Sequence, residues 1–274
     1  MEASADESQS VLERSLAGLS SGRAEPFVGH ISKSWSERCV EIPWVSARIG
    51  TPKRLLDVGW TMSPPEWLGV LLAVRSAGTH VTGIDIVEPS RVKSRFLPEM
   101  REELLSVPVI VGDVREYESS DETYDLITCV STLEHIGFDQ ATEPEVSDTV
   151  FVRSNLVDEV PVGRSSTVDE EFLDSAFRNL SRGGRLLLTV PAGADRAILH
   201  QDSLGLYTRQ YEYGTASWKT ILEDSRFSVS DEAYFVWDSN VGWQQASDMS
   251  DLTHQTSELM AFAVGCACAE LIRI

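Results

Sequence analysis

Three aspartates recur at a fixed interval: Asp57 to Asp85 and Asp85 to Asp113 are each 28 positions apart. Each follows a short apolar run, Leu55-Leu56 before Asp57, Val81 to Ile84 before Asp85, and Val109 to Val111 ahead of Asp113. That interval is the length of one helix-plus-strand unit, so the three carboxylates fall along one edge of a parallel sheet, where ligands of open α/β sheets bind. Any one of them alone reads as a solvated loop acid; the shared register points to ligand binding. An acid ending the second strand, Asp85, is placed to accept hydrogen bonds from both hydroxyls of a ribose. Asp113, in Val111-Gly-Asp-Val114, adds an acceptor where an adenine amino group can lie, and Val114 offers backbone and an apolar wall.

Further residues bear on what such a site would do. His135 follows the fourth apolar run, and an imidazole with a pKa near neutrality suits general-base work on a hydroxyl. Its plainer role is to start and orient the loop that follows. His200, beyond the fifth run, carries the same two readings, base or surface residue. Tyr207, Arg209, Tyr211 and Tyr213 crowd into seven positions. Such rings wall a small molecule and such a guanidinium grips a carboxylate or phosphate, or the group covers the core under a loop. Trp237 and Trp243 likewise line a pocket or pack the sheet. Asp139, Glu143, Glu145 and Asp148 lack the spacing of a metal loop, so no metal is expected.

The elements that must position these residues are legible as alternating patterns. Strands are expected at 54–58, 80–86, 107–111, 124–130, 185–190, 227–236 and 261–272. A helix enters through Pro64-Pro65 and closes at Gly78, and another runs from Val168 to Leu180, stopped by Gly183-Gly184. Partly helical stretches are expected at 32–49, interrupted by Pro43, and at 91–105, broken by Pro98. Strands alternating with helices imply crossover units and a parallel sheet. Residues 1–30 form a tail or one short helix, and 31–274 one domain carrying a polar lid or insertion at about 139–169.

Taken in order, Leu55-Leu-Asp-Val-Gly59, Val81-Thr-Gly-Ile-Asp-Ile86, Val111-Gly-Asp-Val114, Tyr124 to Ile136 with Ser131-Thr-Leu-Glu-His135, and Arg182-Gly-Gly-Arg-Leu-Leu-Leu-Thr-Val-Pro191 resemble the class I S-adenosylmethionine-dependent methyltransferases. The likeness runs from about residue 40 to the C-terminus. It implies a Rossmann-like α/β fold, a mostly parallel seven-stranded sheet with an antiparallel C-terminal strand and helices on both faces. It also implies S-adenosyl-L-methionine as cofactor, with Asp57 and Gly59 opening the cofactor loop and Asp85 on the ribose. Ile86 stands beside that contact, Asp113 and Val114 hold the adenine, and Val130 and Ser131 lie beside the methionine moiety. Glu134, Tyr207, Arg209, Tyr211 and Trp243 then face the methyl acceptor, with His135 and His200 as candidate catalytic bases. One departure stands out: the family's G-x-G-x-G loop reads Gly59, Thr61, Ser63 here. Hydroxyl residues there narrow the pocket, donate hydrogen bonds, or mark lost binding.

Charge narrows the partners. The chain has 23 Lys and Arg against 43 Asp and Glu, a formal charge of -20, which repels phosphate backbones and anionic lipid. A small-molecule acceptor is expected, without nucleic acid or membrane; the oligomeric state is left open. Four cysteines at 39, 129, 266 and 268 and an acidic N-terminus without a signal-like apolar stretch suit a reducing, cytoplasmic setting. Two alternatives stand beside the O- or N-methyltransferase of a sugar-bearing or specialised metabolite. One is a non-catalytic partner-binding protein of the same fold. The other is a nicotinamide-dependent oxidoreductase, disfavoured because no G-x-G-x-x-G turn follows the first strand.

Overall fold

The computed structural model describes residues 5–23, 36–91, 93, 96–120, 123–138, 155–156, 164–201, 207–252 and 263–274. Most of the expected insertion at 139–169 therefore lies outside the described residues. The chain opens with α1 (Ala5–Ser21) and α2 (Arg38–Ile49), then β1 (Arg54–Val58), α3 (Pro65–Ser76), β2 (His80–Asp85), α4 (Arg101–Leu105), β3 (Val109–Val111) and β4 (Tyr124–Val130). After β5 (Asn155–Leu156) come α5 (Val168–Asn179), β6 (Leu180–Pro191), β7 (Arg196–Gln201), β8 (Tyr207–Glu212) and α6 (Thr215–Leu222). The chain closes with β9 (Phe227–Asp238), β10 (Gly242–Ala246) and β11 (Gly265–Arg273).

One eight-stranded sheet runs β10-β9-β11-β6-β4-β1-β2-β3. The run from β3 to β6 is parallel, while β11 inserts antiparallel between β6 and β9. The expected seven strands become eight because β9 turns back through Asp238, whose carboxylate accepts the Asn240 and Val241 N–H groups, and β10 pairs antiparallel along it. Sequence order reverses between β1 and β4, the crevice where open sheets take ligands.

Alternation along the strands fills two apolar layers. Leu55, Val81, Leu126 and Leu187 pack with α1, α2 and α3; Leu56, Ile84, Ile127 and Leu188 pack on the other face with α5 and α6. Two local expectations are corrected. Helix α2 continues through Pro43, because burial of nearly every residue from Cys39 to Ile49 outweighs the one lost backbone bond. Strand β6 begins at Leu180, not Arg185: Leu180 already pairs with Tyr124, and the double glycine sits within the strand where its register against β4 shifts. No strands were expected between residues 196 and 213, yet β7 pairs antiparallel with β5 on one side and β8 on the other, a small sheet beside the main one. Among the described residues no helix is long and apolar enough to cross a membrane.

Candidate functional site

The carboxyl ends of β1 and β2 meet in a tight turn. Gly59 has φ +89° and donates its N–H to the Ile84 carbonyl (2.9 Å). A Cβ there would lie 2.3 Å from Thr132 Oγ1, so the loop after β1 touches the loop after β4 at the point where strand order reverses. Thr61 is buried. Its N–H donates to Asp85 Oδ2 (2.9 Å) and its hydroxyl to the Val87 carbonyl (2.8 Å), while the Val87 N–H donates to Asp85 Oδ1 (2.9 Å). The Ser63 hydroxyl donates to the Gly59 carbonyl (2.9 Å). Both hydroxyl residues that replace glycines thus brace the loop itself. Burial raises the Asp85 pKa, and these backbone N–H groups oppose the shift.

Asp57 is fully buried: Oδ1 accepts from Trp67 Nε1 (2.9 Å) and Thr128 Oγ1 (2.8 Å), whereas Oδ2 has no hydrogen-bond partner. Burial pushes its pKa up to about 7. Asp113 is held by Arg115, whose Nη2 lies 2.6 Å from Oδ2 and whose Nη1 reaches Glu171 on α5 (3.0 Å). Partial burial pushes the Asp113 pKa up, but the Arg115 bonds outweigh it and hold the carboxyl below its usual range. Val114 is buried and its carbonyl accepts the Ser175 hydroxyl (2.6 Å). Beside these acids, three apolar side chains stand in solvent at successive strand ends: Met62 after β1, Ile86 after β2 (51% exposed) and Val111 at the end of β3 (55%).

A second group forms at the carboxyl ends of β4 and β6. Val130 and Ser131 are buried, and Ser131 takes φ +42°, a left-handed conformation unusual for a residue with a Cβ. Its N–H donates to the carbonyl and hydroxyl of Thr189 (3.1 and 3.0 Å). The Ser131 and Thr189 hydroxyls both donate to Glu41 Oε2 (2.9 and 2.6 Å), and Arg38 Nη1 pairs with Glu41 Oε1 at 2.6 Å. Glu37 stands at 4.0 Å from Arg38 and Glu134 is 3% exposed; an oxygen of each, Oε2, is buried without a hydrogen-bond partner. Burial, countered by Arg38, pushes the Glu37 pKa up to about 7 and that of Glu134 up to about 8. Glu37, Arg38 and Glu41 were not among the expected site residues. The signal for them was an acid, Glu41, inside the apolar run Cys39 to Val45.

The expected acceptor-side residues are placed as follows. His135 is 39% exposed, with Nε2 3.8 Å from Glu134 Oε1, too long for a hydrogen bond. His200 lies on β7 and Tyr207 and Arg209 on β8; their side chains fall outside the described residues. Tyr211 donates its hydroxyl to Asp195 (3.2 Å) and stacks against the Arg164 guanidinium (4.9 Å). Arg164 also bonds the Leu133 carbonyl, Asp169 and the buried Tyr213 hydroxyl, tying β8 to the turn after β4. Trp243 is fully buried in the core shared with α2. Among the described residues no group of three His, Cys, Asp or Glu side chains is arranged to hold a metal ion.

A family model described as a methyltransferase domain matches residues 34–230. Solved structures share the fold, and two of them illustrate it. One is a SAM-dependent methyltransferase from Methanosarcina mazei, with 12% identity, 85% of this chain and 97% of that one covered, and a TM-score of 0.51. The other is the PH0226 protein from Pyrococcus horikoshii OT3, with 12% identity, 85% and 87% covered, and a TM-score of 0.50. No curated protein matches the chain in sequence.

Proposed function

The chain belongs to the methyltransferase domain family, and from that premise we propose that it methylates the oxygen or nitrogen of a small molecule, a sugar-bearing or specialised metabolite, with S-adenosyl-L-methionine as donor. The observation that carries the cofactor's placement is the row of exposed Met62, Ile86 and Val111 beside Asp85. An apolar row of this kind flanking a carboxylate suits an adenosine, a flat ring joined to a diol. Asp85 is oriented by the backbone N–H groups of Thr61 and Val87, with those of Met62 and Ile86 also close, and its two oxygens would accept from the ribose hydroxyls beside these donors. The bare Oδ2 of Asp57 adds a buried acceptor beneath the same turn. The residues present therefore fit the cofactor.

Once bound, S-adenosylmethionine supplies an electrophilic methyl group on a sulfonium. The protein's part is placement: Ile86 and Val111 cover the base, Asp85 orients the ribose, and the Ser131 turn shapes the floor between the two halves. His135 or His200 would take the proton of a hydroxyl acceptor at an imidazole nitrogen. A charge of -20 favours a neutral or cationic acceptor over a nucleic acid. A cytoplasmic setting suits the four free, buried cysteines.

Calorimetry with S-adenosylmethionine and S-adenosylhomocysteine tests the reading: saturable binding is expected, and no heat from either at high micromolar concentration would overturn it. One observation favours the partner-binding alternative, namely that Thr61 and Val87 already occupy both oxygens of Asp85. The same titration separates the two.

A further inference from the structure

The carboxylates around α2 do not balance. Glu37, Glu41 and Glu134 surround one guanidinium, that of Arg38. Glu41 is satisfied on both oxygens by Arg38, Ser131 and Thr189, so it anchors α2 to the ends of β4 and β6. What it leaves over is a pair of acids, each with Oε2 bare, and Glu134 is more than nine-tenths buried. A buried acceptor without a donor is costly, the more so when charged, so such a pair calls for a ligand carrying N–H or O–H donors. A metal ion is not the fit, because among the described residues no three ligating side chains converge. The pair lies at the ends of β4 and β6, across the strand-order reversal from Asp85, on the half of the edge where the acceptor would sit.

We propose that Glu37 and Glu134 form a subsite for the ammonium group of the methyl acceptor, so that the molecule methylated is a primary or secondary amine. This rests on the methyltransferase reading and decides between its two forms in favour of nitrogen. Three groups besides the cluster's own face Glu134: His135 across 3.8 Å, the buried thiol of Cys129 and the buried phenol of Tyr213. None of them brings a fixed positive charge, so Arg38 is the permanent cation in reach. In the ligand-free site burial keeps Glu134 largely protonated near neutral pH. An incoming ammonium displaces that proton to solvent and takes its place against the carboxylate. The same carboxylate then accepts the ammonium's proton, leaving the neutral amine with its lone pair and returning Glu134 to the protonated acid.

The test is calorimetry on the full chain saturated with S-adenosylhomocysteine, titrated with cyclohexylamine and with cyclohexanol, which are near in shape and differ in charge. The amine is expected to bind at least about tenfold more tightly, with proton release seen as a different apparent enthalpy in phosphate and in Tris at pH 7. Glu37→Gln combined with Glu134→Gln is expected to abolish both the preference and the proton release. Equal binding of the two probes, no binding of the amine, or a preference surviving in the double variant would overturn the proposal, leaving a buried polar cluster that serves the fold. If Glu134→Gln weakens S-adenosylhomocysteine but not 5'-methylthioadenosine, which lacks an amino-acid tail, the ammonium held is the cofactor's and the acceptor assignment falls. Should the Gln variants not fold, proton release by the wild-type chain decides alone. Failure of S-adenosylhomocysteine to bind sinks the methyltransferase reading instead, and the amine preference of the unliganded chain still reports on the cluster.

Discussion

The two halves of the strand edge meet their acids to different degrees. Between β1 and β3 the protein's own donors reach every carboxylate, Asp85 through the N–H groups of Thr61 and Val87, Asp113 through Arg115 and Asp57 through Trp67 and Thr128 on one oxygen, with Asp57 Oδ2 left bare. Between β4 and β6, Glu37 and Glu134 are each left with an oxygen that nothing donates to. The first half is built from short-range contacts, loop to adjacent loop. The second is closed by α2 from before the first strand and by β8 from after β6, over far greater separations in sequence. A recognition surface made from short loops suits a ligand that every family member shares, whereas one assembled from distant additions can change without disturbing it.

That contrast can be broken most severely where the halves touch. Gly59→Val would place side-chain atoms against Thr132 in a backbone conformation with φ +89°. Left-handed strain and overpacking together cost about 4 kcal/mol, so thermal unfolding is expected to drop steeply; an unchanged midpoint would mean that the loops part freely. Asp85→Ala confines the damage to the first half. Losing charged hydrogen bonds to two ribose hydroxyls costs about 3 kcal/mol, a weakening of S-adenosylhomocysteine by about a hundredfold, while the amine-over-alcohol preference of the other half stays in place. Unaltered cofactor affinity would refute the ribose assignment.

Glu134→Gln does the reverse. Folding raises the Glu134 pKa from 4.5 to about 8, burial being the main cause. The stability that this shift contributes is full below pH 4.5 and disappears as pH rises through 8. A glutamine mimics the neutral acid and does not titrate, so the variant gains on wild type across that window. On those two values the difference is expected to reach about 5 kcal/mol by pH 9. Chemical denaturation at pH 5 and pH 9 reads it, and parallel profiles would show that Glu134 is ionised in the ligand-free protein.

Why one half was legible in the sequence and the other was not follows from the same difference. Asp57, Asp85 and Asp113 announce themselves because each ends an apolar run of fixed phase, and strand order follows from alternation with helices. Glu41 gives only an oddity, an acid in an apolar helix, because its partners Ser131 and Thr189 lie 90 and 148 positions away. Strand β8 has a signal of its own: Tyr207, Arg209, Tyr211 and Tyr213 recur at every second position, the period of a strand. Pro43 misled in the other direction, since a local rule about helix interiors yields where eleven consecutive positions are packed into the core almost without a break.

Thr61 offers the smallest effect and the finest discrimination, because its place in the family's glycine loop suggests a ligand role while its contacts are internal. The hydroxyl donates to the Val87 carbonyl, and the bond to Asp85 comes from its backbone N–H, which any residue supplies. Thr61→Val keeps the shape and the N–H and removes one buried hydrogen bond, costing about 1 kcal/mol of stability. Cofactor affinity is expected to stay within about threefold, because Asp85 remains held as before. If instead affinity falls tenfold at unchanged stability, the hydroxyl serves the ligand directly. The loop after β1 would then hold a donor for a guest, where the second half holds bare acceptors.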